Sequence, residues 1–171
     1  MQDASGIYLS PHDIGLIRSW TQGEAIAVND WLRHGFTLDQ PPEAKIASQL
    51  DAIIARNMIA SPFTLYRGIG ADFAALIRAK NPRRGTRFSD AGFLSATLSR
   101  TVARRFAAHD LGTRKGLVLS ITGQQSVCGI AVAPWSAFPE EKEVILARDT
   151  MLEVIRYNVL DSLIETKVCY G

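Results

Sequence analysis

The predominant spacing of apolar residues changes near Pro62, and this change limits the fold more than any other feature of the sequence. Before Pro62 they recur at helical spacing, with a helix start at Ser10-Pro11 and a helix end at Gly35. After it, short β-branched and aromatic runs are separated by Gly, Pro and Asp. Helices first and strands later predict an α+β fold with a mostly antiparallel sheet.

The predicted elements divide in the same way. Three helices are expected in the first third: one that starts at Ser10-Pro11, one over Ala25 to His34, and one over "PPEAKIASQLDAIIARNM". Two more are expected over "ADFAALIRAK" and "SRTVARRFAAH". The predicted strands are "FTLYRG", "GTRFSD", "GFLSATL", "GLVLSITG", "GIAVAP", "KEVIL", "MLEVIRYNVL" and the alternating last segment.

Length and charge limit the possible classes of protein. The 171 residues suffice for one domain, with a helical flank over about 10–60 and a β-rich core over about 62–171. A net charge of +2 argues against a protein that coats nucleic acid or a membrane surface. The first residues lack the pattern of a signal peptide, and no apolar run is long enough to span a bilayer.

Two glutamates are separated by one residue in "FPEEKEVIL". If the chain is extended there, Glu141 and Glu143 lie on one side of a strand, about 6.5–7 Å apart at the backbone, and can serve one cavity. Two carboxylates suit the stabilisation of a cation such as the one formed when a glycosidic bond breaks. A solvated edge strand and a glycoside hydrolase pair are the alternatives.

Two earlier strands carry further candidates. Arg67 stands at a strand end, where a guanidinium can bind a phosphate bidentately, and the backbone of Gly68 can approach a ligand closely. Ser95 and Thr97 share one face of another strand, where hydroxyls can hydrogen-bond a ribose or hold a carboxylate. Each motif alone is also typical of ordinary surface or sheet residues.

Together, Tyr-Arg-Gly, then Phe-x-Ser-x-Thr, then Glu-x-Glu followed by Val-Ile-Leu resemble the Arg-Ser-Glu class of mono-ADP-ribosyltransferases. This family includes actin-modifying bacterial toxins and vertebrate ecto-enzymes. "LIRSWTQGEAIAVNDWLR" is similar to its N-terminal helix pattern, and "EVILARDTMLEVI" to its Glu-Val-Leu-Leu-Pro-Arg-Gly-Thr tail. Two departures are Ser95-Ala96-Thr97 in place of Ser-Thr-Ser, and Asp149 at a turn position that glycine adopts more easily.

The resemblance implies a fold and an activity. The fold would be a split β-sandwich of two antiparallel sheets with a helical N-terminal flank, and NAD would bind in the cleft between the sheets. The activity would be transfer of ADP-ribose from NAD, the co-substrate, to an arginine of a target protein. The alternatives are the same chemistry on nucleic acid and a non-catalytic binding module of the same fold.

The resemblance also implies roles for the candidate residues. Arg67 would bind the NAD phosphates, Ser95 would orient the nicotinamide ribose and the catalytic carboxylate, and Glu143 would stabilise the developing cation. Glu141 stands where glutamate goes with arginine acceptors, since a carboxylate can bind a guanidinium and help remove its proton.

Three aromatic residues are candidates for contacts with ligands or partners. Phe106 resembles an aromatic that packs on nicotinamide, with packing on Val102 and Ala103 as the alternative. Trp135 and Phe138 lie in "APWSAFPEEK", the loop that presents aromatics to the target in this family, and both could instead pack into the core.

The remaining predictions concern metals and partners. His12, His34 and His109 lack metal-ligand spacing with one another or with Cys128 and Cys169, so we expect no metal. A bacterial toxin or effector of this type would be delivered by a secretion system or within a larger toxin, and would act in the target-cell cytoplasm. Its producer would need an immunity protein that covers the cleft.

Overall fold

The computed structural model describes residues 7–35, 41–108 and 116–170. The helices are α1 (Pro11–Ser19), α2 (Ala25–His34), α3 (Pro42–Ala55), α4 (Ala71–Ala79) and α5 (Arg100–Ala108). All five were predicted from the sequence. Within the described ranges no helix is both long and apolar enough to cross a membrane.

Helix α1 begins as its sequence predicts. The Ser10 hydroxyl accepts a hydrogen bond from the Asp13 backbone N–H at 3.1 Å, and the Asp13 carboxylate accepts one from the Ser10 N–H at 2.9 Å. A π-helical turn, Trp20–Glu24, separates α1 from α2. Gly23 in this turn has φ 138°, a conformation that a side chain rarely allows, and it redirects the chain beside the site described below.

In the described part of the chain, nine strands form one connected sheet in the order β1-β6-β7-β4-β2-β5-β9-β8-β3. The strands are β1 (Met58–Ile59), β2 (Phe63–Ile69), β3 (Arg87–Phe88), β4 (Leu94–Thr97), β5 (Leu117–Gly123), β6 (Val127–Ala131), β7 (Glu143–Leu146), β8 (Leu152–Asn158) and β9 (Leu163–Val168). The α+β class and the mostly antiparallel sheet are confirmed. The two-residue β1 was not predicted.

The sheet divides into two halves at the junction of β2 and β4. These strands pair only at Tyr66↔Thr97, whereas β2 and β5 pair over the full range Phe63–Ile69. We call β1-β6-β7-β4 the first half and β2-β5-β9-β8-β3 the second half. One of the described pairings is parallel, which two purely antiparallel sheets would not contain: β9 lies between β5 and β8, antiparallel to β8 and parallel to β5.

The two halves pack face to face. Side chains alternate along each strand, so one face of a strand packs on the other half while its opposite face packs elsewhere. From β7, Val144 and Leu146 pack with Leu119 and Ile121 of β5. Ile145, on the opposite face of β7, belongs to a second core with the apolar residues of α1–α3. Helix α5 covers the outer face of the second half through Ala103, Ala107, Val118 and Leu163. The layers are thus helices, first half, second half and α5.

Candidate active site

A cavity of about 300 Å³ lies where the two halves meet, between α5 and the chain that links α1 to α2. This volume is at the lower end of the range for ligand sites, about 300–1,000 Å³. Residues from five separate segments line it: Trp20, Thr21, Gly23, Ala25, Ile26, Tyr66, Arg67, Gly68, Ser95, Ala96, Thr97, Val102, Phe106, Glu141 and Glu143. The structure therefore brings Arg67, Ser95, Glu141 and Glu143 into one cavity.

Strand pairing positions Ser95, Thr97 and Glu143. Strands β4 and β7 are antiparallel, with Thr97 directly opposite Glu143 and Ser95 opposite Ile145. Alternation places Ser95 and Thr97 on the same face of β4 as the preceding Phe93, which packs on the helices. The hydroxyls and the carboxylate thus face the helical flank.

Glu143 carries an unfavourably placed charge. Burial raises the pKa of its carboxyl group, and the neighbouring charge of Glu141 raises it further. The Ser95 hydroxyl, the Trp20 indole N–H and the charge of Arg67 lower it but do not outweigh burial. The pKa of Glu143 is therefore above its ordinary value, so a cation placed beside this carboxylate would be stabilised.

Two buried donors beside Glu143 lack a well-formed hydrogen bond. Neither Trp20 Nε1 nor Ser95 Oγ has a partner of good geometry among the described residues, although both groups are close enough to the Glu143 carboxylate to lower its pKa. Buried polar groups without a partner are rare in folded proteins and often mark a functional site. These two donors are available to hold the carboxylate or a bound ligand.

Trp20 was missed as a site residue by the sequence analysis, which placed it in the apolar stripe of a helix. It is nearly fully buried, and its ring meets Phe93 edge to face, with centroids 5.4 Å apart and planes at 88°. The aromatic-Thr motif of the N-terminal helix pattern contained it, so this motif was the available signal.

Arg67 belongs to a compact cluster of charges. Its Nη1 donates to the Ser95 carbonyl oxygen at 3.2 Å, and its Nη2 donates to Asp90 Oδ2 at 3.5 Å. Arg33 also binds Asp90, through Nε at 2.8 Å and Nη2 at 2.6 Å, and the Gly92 N–H donates to Asp90 Oδ1 at 2.9 Å. Asp90 is thus held by three different residues.

The charges in this cluster compensate one another. Burial raises the pKa of Asp90, but the hydrogen bonds from Arg33 and Gly92 and the charges of both arginines outweigh it, so the pKa lies below its ordinary value. Burial lowers the pKa of Arg67, whose side chain is 18 % exposed, yet a guanidinium stays charged. Asp90 and Arg33 were not predicted as site residues, because only the fold brings them to Arg67.

Glu141 reaches the cavity by a different route from the one predicted. The chain is not extended there: Pro139–Glu141 form a 3₁₀ turn, and Lys142 adopts a left-handed conformation with φ 49°. The prediction of a shared strand face is therefore wrong for Glu141, although both carboxylates do line one cavity. Thr97 Oγ1 donates to the Glu141 carbonyl oxygen at 2.6 Å and fixes this turn on β4.

Gly68 lines the cavity, and the packing of a helix also requires glycine at this position. A Cβ at this position would collide with the Ala103 carbonyl oxygen, and would lie 2.7 Å from Phe106 Cβ and 2.8 Å from the Ala107 nitrogen. Helix α5 therefore packs directly on β2. Phe106 projects from this helix into the cavity lining and is 45 % exposed, so its alternative of core packing is wrong.

The two aromatic residues of the loop before Glu141 have different positions. Trp135 is 7 % exposed and packs in the core with the helical flank, so its predicted role in target recognition is not supported. Phe138 is 43 % exposed and available to a partner. The loop is tied to the helical flank by the Ala137 N–H, which donates to Thr21 Oγ1 at 3.0 Å.

Two smaller predictions and the state of the cysteines can be compared with the structure. Asp149 has φ 57°, the glycine-like conformation that its turn position implied. Among the described residues no group of His, Cys, Asp and Glu could hold a metal ion, and His109 lies outside them. Cys128 and Cys169 are free thiols.

One protein family matches most of the chain. The family model for the ADP-ribosyltransferase exoenzyme domain matches residues 3–168. No curated protein sequence matches the chain.

Solved structures share the fold at low identity. The C3 exoenzyme of Clostridium limosum superimposes with a TM-score of 0.77 at 17 % identity, over 97 % of this chain and 89 % of that one. Vis toxin from Vibrio splendidus gives 0.76 at 15 % identity, over 96 % and 76 %, and Vis was also solved in complex with agmatine. Exoenzyme S from Pseudomonas aeruginosa, bound to carba-NAD, gives 0.71 at 20 % identity, over 95 % and 76 %.

Most of the chain is thus covered by one family model, and the cavity holds the arginine, serine and glutamate expected for that family. The chain belongs to the ADP-ribosyltransferase exoenzyme family, whose members use NAD as co-substrate for mono-ADP-ribosylation.

Proposed function

We propose that this protein transfers ADP-ribose from NAD to the guanidinium group of an arginine in a target protein, with release of nicotinamide. The observation that carries this proposal is the position of Glu141, a carboxylate in the same cavity as Glu143 that already accepts a hydrogen bond from a guanidinium, that of Arg105, at 3.3 Å. A carboxylate binds the planar guanidinium group well. The agmatine complex of Vis supports the proposal, because agmatine carries the same group.

The residues of the cavity fit NAD. When bound, NAD supplies the ADP-ribosyl group and nicotinamide as its leaving group. Glu143, in its ionised form, stabilises the positive charge that develops as nicotinamide leaves, and Ser95 and Trp20 hold this carboxylate with their unpaired donors. Arg67 binds the phosphates, and Phe106 offers its exposed ring to nicotinamide.

Glu141 serves the acceptor. Its carboxylate binds the incoming guanidinium and accepts the proton that this group loses when its nitrogen forms the new bond. Phe138, exposed in the same loop, contributes to binding of the target protein. We place the protein among bacterial toxins or effectors delivered to a target cell, and an immunity protein that covers the cleft belongs to this proposal.

Glu141→Gln tests the proposal against its closest control, Glu140→Gln, an exposed neighbour in the same turn. We expect Glu141→Gln to lose transfer to agmatine by about 10²-fold or more while it keeps NAD hydrolysis, because an amide cannot accept the guanidinium proton. Glu140→Gln should keep both activities. The readout is chromatography of ADP-ribosylagmatine and nicotinamide in the same reaction.

Labelled NAD added to a cell lysate tests the class of acceptor. Label on protein arginines is expected. Label on nucleic acid alone would contradict the proposal, and absence of both hydrolysis and transfer would favour a non-catalytic binding module.

A further inference from the structure

The guanidinium of Arg105 is bound to Glu141, the carboxylate that we propose binds the guanidinium of the acceptor. Arg105 Nη2 lies 3.3 Å from Glu141 Oε1, and its Cζ lies 5.9 Å from the centre of the Phe106 ring. Both Glu141 and Phe106 line the cavity. The protein thus presents one of its own arginines at the place where an arginine of the target would bind.

Arg67, the arginine that lines the cavity, is not placed to act as an acceptor. Arg67 is 18 % exposed and is bound by the Ser95 carbonyl oxygen and by Asp90. Arg105 is 59 % exposed, and its pair with Glu141 is of the exposed kind that contributes about 0–1 kcal/mol. Its side chain can therefore leave and return to the carboxylate freely.

A tethered group acts at a high local concentration. Because α5 carries Arg105 beside the cavity, its guanidinium meets Glu141 at an effective concentration in the millimolar range, with no partner protein required. A small acceptor at lower concentration would compete poorly with it.

We propose that Arg105 is a site of intramolecular ADP-ribosylation, an inference that rests on the proposed function. A guanidinium nitrogen of Arg105 forms a bond to the ribose carbon of NAD, and the bond from that carbon to nicotinamide breaks. Nicotinamide leaves with the electron pair, and Glu141 accepts the proton released by the guanidinium. After modification, Arg105 no longer forms its ion pair with Glu141, and it carries a bulky anionic group at the mouth of the cavity.

Mass spectrometry of the intact chain after incubation with NAD tests the modification. We expect ADP-ribose on Arg105 and its suppression by excess agmatine. Arg105→Ala should remain unmodified and still form ADP-ribosylagmatine, whereas Arg104→Ala, changed at the exposed neighbour on the same helix, should be modified as the unchanged protein is. Formation of ADP-ribosylagmatine with Arg105 left unmodified would overturn this inference and leave the proposed function intact.

Mixing shows whether the step is intramolecular. An inactive Glu143→Gln chain incubated with active protein and NAD should carry no ADP-ribose on its Arg105. Modification of the inactive chain in this mixture would overturn the intramolecular step. If NAD is hydrolysed but neither agmatine nor Arg105 is modified, the proposed arginine acceptor itself is wrong.

Binding without NAD provides a readout that does not depend on catalysis. Calorimetric titration with agmatine should show binding to Arg105→Ala about 2- to 5-fold tighter than to Arg104→Ala, since removal of Arg105 frees the Glu141 carboxylate from a weak exposed pair. Equal affinities of the two variants would mean that Arg105 does not occupy the acceptor site, and would overturn the inference.

Discussion

The site contains two groups of charged residues that differ in how well their charges are compensated. Around Asp90, two arginines and a backbone N–H converge on one carboxylate, and its pKa lies below its ordinary value. Around Glu143, two donors approach without good hydrogen bonds, and burial holds the pKa of that carboxylate above its ordinary value. Glu143 lines the cavity, whereas Asp90 binds Arg67 beside it, and the two carboxylates are in opposite electrostatic states.

This difference distinguishes the carboxylate that supports the site from the carboxylate that takes part in the reaction. A carboxylate held by several partners fixes the geometry of Arg67 and gains nothing further from a ligand. A carboxylate that is poorly compensated is ready to stabilise positive charge when it develops nearby. Four predictions test this division.

The largest effect is expected from Glu143→Gln, which removes the uncompensated charge. Transfer should fall by about 10²- to 10³-fold, the range found when one preorganised electrostatic group is lost from an active site. NAD hydrolysis should fall with it, measured by release of nicotinamide. Glu140→Gln serves as the control, and a Glu143→Gln enzyme with normal hydrolysis would show that the charge of Glu143 has no catalytic role.

Asp90→Asn should instead affect stability. It leaves Arg67 and Arg33 without their shared carboxylate. We expect a loss of about 2–3 kcal/mol in the free energy of unfolding, because the partly buried charges of the two arginines are then uncompensated. Asp51→Asn removes a similar two-contact pair with Arg148 that is more exposed, and should cost less than about 1 kcal/mol. Chemical denaturation measures both, and equal losses would contradict the distinction.

Trp20→Phe keeps the aromatic ring against Phe93 and removes the N–H beside Glu143. The pKa of Glu143 should rise further, so the acid limb of the pH–rate profile should move to higher pH and transfer should fall by about 10-fold. Trp31→Phe is a matched control, since Trp31 Nε1 is also buried without a partner but lies outside the cavity lining. A shift of the acid limb by both variants would contradict a specific role for Trp20.

The smallest effect concerns the pH dependence of folding. The folded-state pKa of Glu143 is raised above that of the unfolded chain, so its protonated form favours folding at low pH and this contribution is lost as pH rises through the folded pKa. At neutral pH, Glu143→Gln should therefore be more stable than the unchanged protein by on the order of 1 kcal/mol. The gap should close below the pKa of an unfolded glutamate, and a gap independent of pH would exclude ionisation as its cause.

Local patterns in the sequence were enough for much of the fold. Among the described residues, local patterns predicted all five α-helices and eight of nine strands, because helix caps, periodicity and turn residues act over short distances. Strand register could not be predicted this way. The pairing of Thr97 with Glu143, and the single pair between β2 and β4, depend on contacts between distant segments.

The site shows the same limit. Arg67, Ser95 and Glu143 were found because each stands in a short motif, and the cavity joins them. Asp90 was missed because its contacts with Arg33 and Arg67 form only where separate elements meet, whereas Trp20 was missed although the aromatic-Thr motif contained it. Trp135 was misassigned for a related reason: a loop sequence does not show which of its aromatic residues faces inward.

The lone pairing of Tyr66 with Thr97 has a consequence for how the molecule responds to its ligand. Arg67 follows Tyr66 on the second half of the sheet, and Glu143 pairs with Thr97 on the first half. A dinucleotide held by Arg67 and Glu143 would therefore bridge the two halves at the junction of β2 and β4, where their strand pairing is weakest. Separating the halves there breaks one backbone pair rather than a whole strand ladder. An occupied cleft would therefore stiffen the junction of β2 and β4, and departure of the ADP-ribosyl group would loosen it again.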